Sequence, residues 1–242
     1  MIKALLTFVV LSSLAVSALC SSGRAYRTAP LMPEVKKFLA RAQKSLSDGA
    51  WDDAAAHAKV VLISDEVSIN VTFRHVPASQ LEDCKKALGE AMSTWSTALD
   101  HSVGFRLEDD PAKADVKLTY LPDVRLQKDA VAGLTTWKRF VHTLAGKVVD
   151  ISCRTEVFIR TRDPQFHAMA MESMRQATEH EIGHVLGLED SSHIGDLMGE
   201  FDLDHPVLGP KEYEAQTVKS LREEARRVKL EAESKKQSKQ SS

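Results

Sequence analysis

Three cysteines in 242 residues are too few for a fold framed by disulfides, so the chain must be held by an apolar core. A hydrophobic content of 43% is enough to build one. Charge of one sign is also missing. The formal net charge is −2, which leaves no global basic field to draw in nucleic acid. The one long apolar run, "ALLTFVVLSSLAVSAL" after Lys3, falls short of the ~20 residues that a membrane span needs. It ends in small residues near Cys20 and "SSG", the order of regions found in a secretory signal peptide. Residues 1–20 are therefore expected to be a signal peptide, cut after Ala18 or Cys20. The protein would then be secreted or held in a periplasm or cell envelope. Leu19, where lipid-attachment sites want a small residue, argues against a lipoprotein.

Helical repeats are lacking too. Residues 24–65 hold one helical hairpin, with Val35, Phe38, Leu39, Ala42 and Leu46 at helical spacing, a break at "SDG", and a second run "WDDAAAHAKVVL". It resembles one tetratricopeptide-type helix pair, and a solenoid needs about three repeats. Phe38, Leu39, Leu46 and Trp51 require a partner surface, either in the rest of this chain or on another protein. From residue 67 the periodicity changes to two. "VSINVTFRHV" alternates as a strand, and "SQLEDCKKALGEAMSTWSTALD" opens a helix on Ser79 with Glu82 three residues on, a capping-box pattern. "GFRLED", "ADVKLTYLP", "AGLTTWKRFVHTL" and "KVVDISCRTEVFIR" follow as strands, and residues 165–187 as a helix. Cys84 and Cys153 both fall on apolar faces, which suits either a disulfide or two buried thiols. Residues 226–242 are charge-laced and end in "SKKQSKQSS", so a disordered tail is expected.

Chemistry is concentrated in "HEIGHVLGLEDSSHIGDLM", residues 180–198. On a helix, residues four apart share a face, so His180 and His184 can present two imidazoles to one tetrahedral ion. Glu181 then points to where a water would sit. Gly187 allows the left-handed turn that stops the helix and brings the following residues back to the same ion. Two residues compete as third ligand: Asp190 by its spacing from Gly187, and His193 by its donor type.

This stretch resembles the zinc motif HExxHxxGxxH of the metzincin metalloproteases, which precedes a methionine-containing turn; here that methionine is Met198. The run "GHVLGLEDSSHIGDLM" is similar to the matrixin form, with Asp190 where most members have His and snapalysin-like members have Asp. The strand–helix order of residues 67–225 is similar to that family's catalytic domain. The resemblance implies an α+β fold, a twisted mixed β-sheet with two main helices and a C-terminal helix, preceded here by the hairpin. It also implies one catalytic Zn2+, a protein or peptide substrate, and Glu181 as the general base that takes a proton from a zinc-activated water. Substrate would lie along an exposed strand edge, "GLTTW", with Thr135 and Trp137 nearest the cleft. Glu200 stands where astacin-like and serralysin-like members have a tyrosine, and residues 120–150 lack the acid–histidine pattern of a second, structural zinc. Two other readings remain. A gluzincin site would take a later Glu, Glu212 or Glu214, as ligand. A scaffold protein would use the zinc only to hold its fold and dock a partner through the hairpin.

Overall fold

The computed structural model describes residues 27–144 and 147–240. The expected signal peptide lies outside them. Among the described residues no helix is long and apolar enough to cross a membrane. The chain is a mixed α/β fold built on a mostly parallel sheet.

The hairpin forms as α1 (Pro33–Ser47) and α2 (Trp51–Leu62). Gly49, at φ +75°, makes the turn between them. Then come β1 (Glu66–Phe73), a 3₁₀ turn at Ala78–Gln80, α3 (Leu81–Ala98), β2 (Gly104–Leu107) and β3 (Val116–Leu121). A two-stranded flap, β4 (Arg125–Leu126) and β5 (Asp129–Ala130), leads into the long pair β6 (Gly133–Leu144) and β7 (Lys147–Arg160). Helices α4 (Met171–Val185) and α5 (Glu212–Gln240) complete the chain.

The sheet order is β2-β1-β3-β7-β6, parallel except for β6, which runs antiparallel to β7 along one edge. Strand alternation puts Val67, Ile69, Val116, Leu118, Tyr120, Val157 and Ile159 on one face. They pack on α3 and α4 through Leu88, Ala91, Trp95, Met174 and Ile182. Cys84 sits in that core with its sulfur 3.7 Å from the Met174 sulfur, and burial pushes its thiol up to about 11. Cys153 lies opposite Arg139 in the β6–β7 ribbon, and both thiols are free.

Two local expectations are corrected. Ser79 does not cap α3: the turn 78–80 intervenes, and Gln80 occupies the cap position with no side-chain cap bond. The buried Gln80 amide instead donates to Thr161 O (3.2 Å), which ties the helix start to the end of β7. The tail is helical through Gln240, the last residue described, because α5 continues there. Val228 and Ala232 are fully buried against Ala42, Ala54 and Ala58 of the hairpin, and Lys236 pairs with Asp52 (2.6 Å). Tertiary packing of a narrow apolar stripe stabilises a helix that its polar composition would leave frayed.

The same contacts supply the hairpin's partner surface. Val35, Val61 and Leu62 pack on Leu221 and Ala225 of α5, with Phe38 and Leu39 at the margin. Leu46 and Trp51 flank the alanine cluster further along. Buried Arg222 of α5 donates to Leu62 O (2.7 Å) and Ser64 O (2.9 Å), caps the carbonyl end of α2 and pairs with Asp65.

Candidate metal centre and cleft

Helix α4 presents His180 and His184 with ring centroids 4.8 Å apart and planes at 83°. Each Nδ1 is held by a main-chain carbonyl, Leu197 O for His180 and Leu188 O for His184, both at 2.9 Å. Those bonds fix the rings and turn both Nε2 atoms toward a common point. The chain then turns at Gly187 (φ +105°), where any side chain would also meet Leu221 and Val35. Asp190 returns with its Oδ1 at 3.2 Å from His180 Nε2 and 3.4 Å from His184 Nε2. Donor atoms on a tetrahedral zinc with bonds of about 2.0–2.2 Å lie about 3.3–3.6 Å apart. The spacing of Asp190 Oδ1 from each imidazole therefore matches that of two donors on one zinc ion, and the Glu181 carboxylate is gathered with the same two histidines. Hydrogen bonds from both imidazoles hold the Asp190 carboxyl well below the usual range. Burial opposes a charge on His184, but Asp190 and Glu181 outweigh it and raise the imidazole to about 9.

His193 is exposed on the loop beyond, its N–H bonded to Ser191 Oγ (3.2 Å), whereas Asp190 Oδ1 stands beside both imidazoles. The later glutamates are not at the site. Glu212 is exposed, and Glu214 is buried with one oxygen on Met198 N (3.0 Å) and the other on Lys211 N (2.7 Å). Glu214 thus fixes the turn that carries Met198. The Met198 side chain is fully buried and its sulfur lies against Gly183, in the middle of the HEIGH motif. A methyl group on residue 183 would collide with that sulfur, so the glycine makes room for the methionine against the metal-binding helix.

Glu181 offers a carboxylate within 4.8 Å of the donor atoms of both histidines. It is buried, and burial pushes its carboxyl up, against the pull of His180, His184 and Thr135. Its Oε2 accepts from Thr135 Oγ1 (2.6 Å). Across from it lies Gly133, where a Cβ would stand only 2.6 Å from Glu181 Cγ and 2.7 Å from Cδ. Only glycine leaves this carboxylate its place.

Thr135 lies on the strand that borders the cleft, and the Thr135 and Trp137 side chains turn inward as supports of α4. Strand periodicity puts Thr135, Trp137 and Arg139 on one face, toward α4. Thr135 holds Glu181, Trp137 Nε1 donates to His184 O (3.1 Å), and Arg139 donates to Val185 O (2.9 Å) and to Val60 O of α2 (3.3 Å). The edge strand thereby anchors the last turn of the metal-binding helix. Sequence alone does not single out Gly133, Gly183 or Arg139 as parts of the site, and it offers Glu214 only as an alternative ligand, not as the support of the Met198 turn. Period-two spacing from Thr135 is the signal that points to Arg139.

A cleft of about 870 Å³ opens over the cluster. Its walls are the strand edge 130–135, the Ala177–His184 face of α4, and the loop 199–203 with Glu200 at the mouth. Arg160 N donates to Ala132 O (2.9 Å), so even-numbered residues of β6 turn their main-chain groups to β7. The N–H and C=O groups of Gly133 and Thr135 therefore point to the free edge, into the cleft. Comparison of the sequence with protein-family models and with curated proteins finds no match.

Proposed function

We propose that this chain is an exported, metzincin-like zinc endopeptidase. The observation that carries the reading is the meeting of His180 Nε2, His184 Nε2 and Asp190 Oδ1 beside the buried Glu181, in a cleft with a free strand edge. Zinc, when bound, supplies a Lewis acid that acidifies water and polarises a carbonyl. Glu181 takes the proton from the attacking water and returns it to the leaving amine. Thr135 holds the Glu181 carboxylate in place through both transfers. The substrate main chain pairs with the free N–H and C=O groups of Gly133 and Thr135, which lays it across the cluster as an added strand. Met198 forms the apolar floor. A general base beside three protein ligands favours an enzyme over a purely structural site, which closes with four protein ligands and needs no base.

Metal analysis of the variants tests the ligand set. Wild-type protein is expected to carry about one zinc per chain, and His180→Ala or His184→Ala to carry none. Asp190→Ala should weaken zinc far more than His193→Ala, measured by chelator competition. A larger loss in His193→Ala would reject Asp190 as the third ligand.

A further inference from the structure

We infer that residues 27–32 form a strap on the metal-binding loop, and that Arg27 is a positioning residue for Asp190. The inference rests on the metal site proposed above. Among the described residues, Asp190 has no side-chain partner but the two imidazoles, and it is exposed. Its aim is therefore set by the backbone on either side. On the near side, Leu31 bridges Leu188 in antiparallel fashion. Met32 N donates to Gly187 O (3.0 Å), and Glu189 N donates to Pro30 O (2.9 Å). Those bonds bracket Leu188, whose carbonyl orients His184. One short ladder thus sets both an imidazole and the approach of the carboxylate.

On the far side the loop is held by polar ties. Ser191 N donates to Met198 O (2.6 Å), and Ser191 Oγ donates to Asp196 Oδ2 (2.7 Å). The Asp196 side chain is 4% exposed and is bound by the Arg27 guanidinium, itself 42% exposed. Ala29 N fastens the strap to α5 through Thr217 Oγ1 (3.0 Å). Ile194, the large apolar side chain of this loop, is 91% exposed, so no core contact anchors the loop there. Without Arg27, Asp196 keeps Ser191 and Tyr213 as partners but loses the guanidinium, and the segment 190–196 loses its tie to the N-terminal strand. The consequence is weaker and faster-exchanging metal, because supports of this kind govern ligand aim.

The test uses the full chain as wild type, Arg27→Ala and Arg27→Lys, each read in two ways. In chelator competition, Arg27→Ala is expected to bind zinc about ten-fold more weakly and Arg27→Lys to recover most of the loss. In metal-free protein, hydrogen exchange over residues 188–198 should be about ten-fold faster in Arg27→Ala, restored by Lys, and unchanged elsewhere; supports of this kind carry about 10–100-fold effects. Unchanged zinc affinity in Arg27→Ala, with a wild type that binds zinc, overturns the inference. So does an unchanged exchange rate over 188–198, or one that rises evenly across the chain. A wild type that takes up no zinc refutes the proposed metal site, while the exchange measurement still judges the strap.

Discussion

Replacing Glu181 by Gln is expected to lower peptide hydrolysis by about 10²–10⁴-fold while zinc content and fold stay unchanged. The substitution is isosteric, and the amide oxygen can still accept from Thr135 Oγ1, so the side chain keeps its place beside Gly133. What is lost is the ability to take a proton from water and hand it to the amine. Neither histidine can substitute, because each has its Nδ1 on a carbonyl and its Nε2 turned to the metal position. The comparison is kcat/KM on a cleaved peptide, with zinc measured on the same samples. Hydrolysis at the wild-type rate would remove Glu181 from the mechanism, and a parallel loss of zinc would make it a ligand or a prop.

Deleting residues 24–65 is expected to abolish soluble, folded protein. The hairpin packs along α5 as part of the fold. Its removal exposes Leu221, Ala225, Val228 and Ala232 along α5. It also strips carbonyl partners from two buried guanidinium groups: Val60 O from Arg139, and Leu62 O and Ser64 O from Arg222. Leaving two buried donors of this kind short of partners costs about 2–6 kcal/mol. Exposure of the α5 stripe adds to that loss, against a total stability of about 5–15 kcal/mol for a domain. Circular dichroism and size exclusion of the truncated chain are the checks. A monodisperse, cooperatively folding product would show that the hairpin is dispensable, and a gain in peptidase activity would make it a cover.

The parts of the molecule legible in the sequence are those with local causes. His180 and His184 share a helix face because four residues make about one turn, and Gly187 turns the chain because it alone takes a left-handed φ freely. The strands declared themselves through alternation, and the hairpin through its break at Gly49. The supports of the site were not legible, because they come from far along the chain. Glu214 reaches Met198 from the first turn of α5, and Gly133 meets Glu181 from the start of β6. Nothing near either residue in sequence announces these contacts. The tail misled because two buried residues, Val228 and Ala232, decide its fate among many charged ones. Ser79 misled because a capping pattern states only a preference, and here the turn 78–80 puts Gln80 at the cap position, with its amide on Thr161 O.

The proposed activity is tested most directly by digesting a diverse peptide library with the full chain in three states: as zinc-loaded protein, after chelation, and after zinc is restored. The account predicts internal cleavage by the loaded protein, none after chelation, and recovery with zinc. Zinc-loaded protein that cleaves nothing in the library would contradict it, and would leave a zinc-containing scaffold as the better description.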